Sequence, residues 1–153
     1  MQIYYLDHNL KLSAQYHPNK LVVKMITESL QILSTVCHIH NQSELSIYKA
    51  THRQHPSTQW CAETIDNYLW LYDMTYWLYE EYKFRFNKTH LAGEKFSGLG
   101  IPYIKNEGLT PIRYGFNNDK YWLEDRVEGY RKYLINEKSH LLKYTNRNKP
   151  EWL

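Results

Sequence analysis

Four side chains of this sequence could carry acid–base chemistry: Glu28, His52, His55 and Glu63. A carboxylate can act as a general base, and an imidazole titrates near neutral pH, so it can transfer a proton or contact a phosphate. The two histidines, spaced His-x-x-His and followed by Pro56, could also bind a metal together with a carboxylate. This spacing lacks a Cys pair and the helical His-Glu-x-x-His context of zinc enzymes. The sequence therefore requires no metal or other cofactor, although both histidines stay open as ligands.

A second set of side chains could hold a ligand that carries a phosphate and a stackable base. Lysine and arginine pair with phosphate oxygens, and tryptophan rings stack on bases. Polar groups set among large apolar ones must find partners, which makes Asn67 and Glu81 candidates as well. The substrate- and phosphate-binding candidates are Lys20, Lys24, Gln31, Trp60, Asn67, Trp70, Glu81, Arg85, Lys88 and His90.

These candidates also have structural explanations. Lys20 and Lys24 fit the solvated face of a helix, although one of them could equally be an amine nucleophile. Glu81 and Arg85 fit a local ion pair, because side chains four residues apart on a helix are neighbours. A cation such as Lys88 near a helix C-terminus interacts favourably with the helix dipole. Both kinds of explanation remain open at the level of the sequence.

The elements that must position these residues are mainly helices. Apolar residues cover one half of a helical cylinder over 20–37, and an aromatic face recurs over 58–86, where Asp73 is the candidate position for a break. We predict a mainly α, compact helical domain over 1–153. Its elements in chain order are a short N-terminal strand at 2–6, a short helix at 9–16, helices at 20–37 and 58–86, a long Gly/Pro-containing loop at 92–118 and a last helix at 123–143.

The two long helices are expected to pack together and to bring the polar candidates around one cleft. Lys24 and Glu28 lie one turn apart on the polar face of the first helix. Candidates from Glu63 to Arg85 line a partly apolar face of the second. The turn that holds His55 precedes the second helix, where backbone N–H groups favour an anion. In the alternative, these residues form separate surface pairs.

Composition limits the classes of protein. The net charge is +3, which allows an anionic partner without demanding one, and 15 tyrosines supply rings that fill a core or stack on bases. Cys37 and Cys61 have no Cys-x-x-Cys spacing and indicate reduced core residues. The sequence shows no signal peptide, no apolar stretch of about 18 residues that could span a membrane, and no nucleotide-binding glycine motif.

Several runs of the sequence resemble a family of small tailed-bacteriophage proteins. The resemblance covers most of the chain and implies a role in the cytoplasm of a host cell during infection, without implying an activity. The runs are 14–25 with Glu28 and Gln31, Thr51-His52 with His55-Pro56 and Trp60, Asn67-Tyr68 with Trp70-Leu71, and Glu81-Tyr82 with Arg85, Lys88 and His90.

A more distant resemblance is to phage-type pyrimidine-dimer DNA glycosylases, which are small, helical and basic. Those proteins have a Gln-His pair and a Glu on their first long helix, and a His-Pro...Trp segment opens their second long helix. The corresponding residues here would be Gln15-Tyr16-His17, Glu28, His55-Pro56 and Trp60.

One departure from that family concerns the nucleophile. The resemblance implies attack by the free amine of a small residue that is exposed when methionine is removed. Here Gln2 follows Met1, and a side chain of that size is expected to block the removal. Met1 itself or a lysine would then supply the amine, or the reaction would not be that of a lyase.

These observations predict a phage accessory enzyme of the DNA-glycosylase type that acts on a nucleobase or nucleotide. Glu28 or Glu63 would be the general base. Arg85 would clamp a phosphate, and Trp60 or Trp70 would stack the base. The alternative is a non-catalytic counter-defence protein that binds a nucleotide or a host protein through the same residues. The expected partner is DNA or a nucleotide, and the expected state is a monomer or small homo-oligomer.

Overall fold

The computed structural model describes residues 2–153, and within that range it contains six α-helices, four 3-10 turns and no strand. The prediction of a mainly helical chain is confirmed. The helices are α1 (Leu10–Tyr16), α2 (Asn19–Ile39), α3 (Pro56–Glu63), α4 (Ile65–Phe86), α5 (Leu91–Glu94) and α6 (Arg126–Glu137), and the 3-10 turns are Ser43–Leu45, Phe96–Gly98, Asp119–Tyr121 and Ser139–Leu141.

Helix α2 lies at the centre of the fold and packs against α3 and α4, while α1 packs against α4. Its first half buries one face, as the apolar pattern predicts. From Ile32 to Cys37 every residue is buried, because the polar connection after α2 folds back over it. Ser34 Oγ accepts hydrogen bonds from the backbone of Ile47 and Tyr48, both at 3.3 Å. Side chains of α2 thus replace the water that this connection would otherwise bind.

The prediction of one helix over 58–86 is wrong in one respect. The helix is interrupted at Thr64, and it continues without a break through Asp73. Thr64 adopts an extended conformation and its hydroxyl accepts from Asn67 N at 3.0 Å, which caps α4. The backbone N–H of Ile65 leaves the helical pattern and donates to the Asn106 carbonyl at 2.9 Å. A capping residue therefore starts a second helix where periodicity alone predicts continuity.

The predicted strand at 2–6 is also wrong. The segment is extended but has no strand partner within residues 2–153, although Ile3, Tyr4 and Leu6 are buried. Its backbone is held by a side chain, since Leu6 N donates to Ser13 Oγ at 3.0 Å. A short run of buried apolar side chains gives the same sequence pattern as a buried strand without requiring a sheet.

The later segments differ from their predicted bounds. The stretch 92–118 is not one continuous loop, because α5 and the Phe96–Gly98 turn occupy its beginning, and irregular chain follows from Leu99 to Asn118. The last helix is shorter than 123–143. Asp125 caps the N-terminus of α6, and a 3-10 turn follows its end. No helix among residues 2–153 is long and apolar enough to cross a membrane.

Leu33 tests the packing of α2. The side chain is fully buried in the core cluster, between the helices that α2 contacts. We expect Leu33→Ala to lower the free energy of unfolding by about 2–5 kcal/mol, because it removes buried methyl groups and leaves a cavity. Denaturant melts measure the change. A loss below about 0.5 kcal/mol would contradict the packing described here.

His17 gives stability a dependence on pH. The ring is fully buried, its Nδ1 lies 2.7 Å from the Ser13 carbonyl oxygen, and burial lowers the pKa of His17 from 6.5 to about 4. Between these two values the unfolded chain takes up a proton that the folded chain resists. The contribution of His17 to stability is therefore complete above about pH 6.5 and is lost as the pH falls toward 4.

We expect this loss to reach at most about 1.4 kcal/mol per pH unit. Urea melts of the parent protein and of His17→Gln between pH 7 and 4.5 isolate it, because the other titrating groups are common to both. The variant is expected to show the shallower decline, and parallel curves would assign the acid sensitivity to other groups.

Candidate functional site

Glu28 lies in the middle of α2 with only 17% of its side chain exposed. Its Oε1 is 3.6 Å from Lys24 Nζ, one turn earlier, whereas Oε2 is buried and has no hydrogen-bond partner among residues 2–153. Buried polar atoms are nearly always paired, so an unpartnered carboxylate oxygen is a feature of functional sites rather than of a packed core.

The turn that carries the two histidines is anchored to the same face of α2. Thr35 Oγ1 donates to the Thr51 carbonyl at 3.1 Å and accepts from Thr51 N at 3.0 Å. His52 stands exposed with a left-handed backbone (φ 50°). His55 lies closer in, and its Nδ1 accepts from Ser57 N at 3.1 Å, which caps α3.

The charge of Glu28 acts on two groups outside α2, His55 and Tyr4. Burial lowers the pKa of His55, and the charge of His52 lowers it further, while Glu28 acts in the opposite direction. Glu28 also acts on Tyr4, whose pKa is raised first by burial and then by the charges of Tyr133 and Glu28. The charge of Glu28 therefore affects side chains of both the histidine turn and the extended N-terminal segment.

The start of the chain completes this cluster, hereafter the Glu28 cluster, which comprises Gln2, Tyr4, Glu28, His55, Ser57 and Gly115. Gln2 Nε2 donates to the Tyr4 hydroxyl at 2.8 Å. A Cβ atom built on Gly115 would lie 2.6 Å from Gln2 Cβ and 2.9 Å from Ser57 Oγ. Gln2 Oε1 and Ser57 Oγ are buried and lack hydrogen-bond partners in the described part of the chain. The N-terminal segment, the start of α3 and the segment around Gly115 thus meet, with several polar atoms unused.

A second group of candidates anchors the irregular segment after α5. Asn67 is fully buried; its Nδ2 donates to the Trp60 carbonyl and to Thr110 Oγ1, and its Oδ1 accepts from Thr110 N. Glu63 pairs with Arg113 and accepts from Thr110 Oγ1 at 3.4 Å. These bonds explain the polar residues on this face of α3 and α4 as attachments for the segment around Thr110.

Two aromatic pockets lie beside this anchor. Trp60 and Trp70 pack edge to face at 5.5 Å, and with Tyr5 they line a pocket of about 320 Å³. Trp60 is almost completely buried and donates from Nε1 to the Thr110 carbonyl, whereas Trp70 is partly exposed. A larger pocket of about 590 Å³ extends from Pro56 past Tyr114 and half-exposed Trp122.

A third group is remote from these contacts. Arg85 Nε donates to Glu81 Oε2 at 2.6 Å, and its other nitrogens donate to the Gln15 carbonyl at 2.7 Å and to Asn19 Oδ1 at 3.3 Å. Arg147, from the C-terminal segment, also donates to both oxygens of Glu81. The side chain of Arg85 is completely buried, and its donors bond α1, α2 and Glu81, while the C-terminal segment joins the network through Arg147.

The structure thus separates the predicted single cleft into groups. Lys24 pairs with Glu28, whose charge also acts on His55, and His52 is exposed, whereas Arg85 belongs to the Glu81 network. The other candidates are placed as follows: Glu63, Trp60, Asn67 and Trp70 lie around Thr110 and the adjoining pocket, Lys20 and Lys88 are exposed, Gln31 is half-buried on α2, and His90 caps α5 while its Nε2 contacts the Val23 carbonyl at 3.0 Å.

Sequence reasoning missed Gln2, Ser57 and Gly115 in the cluster, and Arg147 in the ion network. Their roles depend on contacts between residues up to about 110 positions apart, which leave no local pattern in one sequence. Among residues 2–153 no group of three His, Cys, Asp or Glu side chains could hold a metal ion. Cys37 and Cys61 are free, buried thiols, and burial raises the pKa of both.

No curated protein and no solved structure matches the chain. Residues 1–93, more than half of the 153, match the family described as pyrimidine dimer DNA glycosylase. The match runs from the start of the chain through α4 and includes Glu28 and His55, while Gly115 lies beyond it. The chain therefore belongs to the pyrimidine dimer DNA glycosylase family.

Proposed function

We propose that the protein is a DNA glycosylase that excises a damaged pyrimidine, and that Glu28 is its catalytic carboxylate. The proposal rests on the environment of the Glu28 side chain in a chain of this family. The side chain is mostly buried, and one carboxylate oxygen has no hydrogen-bond partner among residues 2–153. Such an oxygen is available to a substrate without first breaking a contact within the protein.

The chemistry that suits this site is displacement of the base by a primary amine. The amine lone pair forms a bond to C1′ of the deoxyribose while the glycosidic bond to N1 breaks, and the base leaves with the bonding electrons and is protonated. The attached amine gives up a proton, and opening of the sugar ring produces a Schiff base. Glu28, as a carboxylate, would accept that proton and stabilise the positive charge that develops on the sugar.

Two amines are candidates for the nucleophile. The resemblance favours a backbone amine at the start of the chain, and Gln2 is packed against Gly115 and Ser57 within the Glu28 cluster. Lys24 is the second, since its Nζ lies 3.6 Å from Glu28, although 62% of its side chain is exposed. We assign the reaction to the amine at the start of the chain and leave Lys24 as the competing outcome of the trapping experiment.

DNA would approach along the exposed side of α2. Lys20 and Lys24 are exposed there, and His52 stands at the edge of the same cluster, so these residues are proposed phosphate contacts. A base inside a duplex must leave the stack before an enzyme can act on it. We propose that the pocket lined by Trp70 and Tyr5 receives part of the distorted DNA.

Strand cleavage tests the proposal directly. A 5′-labelled duplex with one cyclobutane thymine dimer is expected to be cut at the dimer by the protein alone. Borohydride should covalently trap the protein on DNA with an abasic site, and mass spectrometry of the adduct should locate it on the first peptide. An adduct on Lys24 would reassign the nucleophile. Binding without cleavage or trapping would overturn the enzyme and support a non-catalytic binding protein.

We further propose that the enzyme is an accessory protein of a bacteriophage and works in the host cytoplasm during infection. Its support is the resemblance of the runs around Glu28, His55 and Arg85 to tailed-phage proteins. In a phage that encodes the protein, deletion of its gene is expected to lower the yield after ultraviolet irradiation and to leave the unirradiated yield unchanged. Equal survival of both phages would remove this role.

A further inference from the structure

We propose that Gly115 and the start of α3, which His55 caps, form a clasp that seats residue 2, with His55 acting as a positioning residue rather than as an acid or base. The inference rests on the proposed function and adds to it a segment that the family match does not include. It follows from the contacts of the ring, of the glycine and of the segment that carries the glycine.

The ring of His55 caps α3 through one of its nitrogens. Its Nδ1 accepts from Ser57 N at 3.1 Å, so that nitrogen carries no proton. The backbone of Gly115 raises the pKa of the ring slightly, and a Cβ atom at position 115 would lie 2.9 Å from Oγ of Ser57, the residue that His55 caps. Burial lowers the pKa of His55, and of the charged groups that face it His52 lowers the pKa while Glu28 raises it. The ring therefore fixes the start of α3, and Ser57 at that start packs against Gly115.

Gly115 is held from the opposite side as well. Its backbone N–H donates to the hydroxyl of Tyr130 at 3.2 Å, and Tyr130 is fully buried on α6. On the near side, a Cβ atom at this position would lie 2.6 Å from Gln2 Cβ and 3.2 Å from Gln2 Cα. The 2.6 Å approach is too short for two carbon atoms unless one of them shifts, so the absence of a side chain at 115 is what lets residue 2 pack there.

The segment that presents Gly115 is itself fixed. Thr110 is bonded to Asn67 through both its backbone and its hydroxyl, and Arg113 pairs with Glu63. Gly115 therefore cannot shift easily when a side chain is added at this position. Residue 2, at the end of an extended segment without a sheet partner in residues 2–153, is the part expected to move.

A displaced residue 2 would misplace the adjoining amine, and a misplacement of about 1 Å can cost roughly 10²-fold in rate. We expect Gly115→Ala to lower kcat for dimer cleavage by about 10²-fold with KM little changed. Gly98→Ala is the matched control, because a Cβ there would lie 3.5 Å from Ile47 Cγ2, an ordinary contact. It should behave as the parent.

His55 is tested by a pair of variants. His55→Asn keeps a side chain that caps α3, whereas His55→Ala does not. We expect His55→Asn to recover most of the activity that His55→Ala loses and to keep the parent shape of the pH–rate profile. Loss of one limb of that profile in His55→Asn would make the ring an acid–base group and overturn the positioning role.

Amide hydrogen exchange of residues 2–6 tests the clasp independently of the enzymatic activity. Gly115→Ala is expected to raise exchange in this segment, and Gly98→Ala is not. If the parent protein fails to cut dimers, the proposed function is overturned. The exchange result would still test whether Gly115 holds residues 2–6 in place. Parent-like exchange and parent-like kcat in Gly115→Ala would overturn the clasp even if the glycosylase activity is established.

Discussion

Glu28→Gln is expected to lower kcat for cleavage at a pyrimidine dimer by about 10²–10⁴-fold, the usual contribution of a catalytic acid or base. The amide keeps the volume of the side chain but loses the charge that would accept a proton and stabilise the sugar cation. The free energy of unfolding should change little. Within residues 2–153, Oε2 has no partner to lose, and the contact with mostly exposed Lys24 is a weak ion pair.

The sharpest control is Glu128→Gln. Glu128 also pairs with a lysine four residues away on a helix, Lys132, at 2.8 Å, but it lies on α6 and is half-exposed. It should keep the parent rate. Glu63→Gln tests the other carboxylate that the sequence predicts as a general base. Glu63 is paired with Arg113. A parent-like kcat in Glu28→Gln, with loss in Glu63→Gln, would move the chemistry to Glu63.

The helices could be predicted because their signals are local. The half-cylinder of apolar residues over 20–37 specifies α2, and the aromatic periodicity specifies most of α4. The boundary at Thr64 was not apparent, because a threonine inside a helical pattern is also compatible with continuity, and its capping role depends on the bond between Ile65 and Asn106. The apolar run over 2–6 signals burial correctly but not the kind of structure that is buried.

The candidate site was predictable only where its residues share an element or a short turn. Lys24 and Glu28 are one turn apart, and a histidine turn followed by Pro56 indicates the start of a helix. Nothing local links Gly115 to residue 2, because their contact arises when the irregular segment folds onto α3 and α4. Long-range contacts of this kind depend on packing, which a single sequence does not encode in any window.

Glu81 and Arg85 illustrate how one pattern can suit two roles. As polar residues on an aromatic face they fit a ligand site, and at a spacing of four residues they fit an ion pair. The structure encloses them with Arg147 and Asn19, and the four side chains join α2, α4 and the C-terminal segment. The donors of Arg85 are directed at protein acceptors, so a phosphate would have to displace contacts that hold the fold together.

Arg85→Ala is therefore expected to destabilise the protein by about 3–5 kcal/mol, because removing one partner of a buried pair leaves the other charge without full compensation. Glu81 is 4% exposed and would keep only Arg147 as its cationic partner. Denaturant melts measure the loss. Lys83→Ala is the control on the same helix: Lys83 pairs with Glu80 at 2.7 Å, but both are about 40% exposed, so the change should cost below about 1 kcal/mol.

The double variant Glu81→Ala with Arg85→Ala completes this test. If the two residues stabilise the fold mainly through each other, the double variant should lose less than the sum of the single losses, since it no longer buries an uncompensated charge. Additive losses would show that each residue acts through other partners, such as Asn19 or Arg147. If Arg85→Ala is stable but has lost DNA binding, Arg85 would instead belong to the substrate site. The C-terminal segment would then be held in place without Arg85.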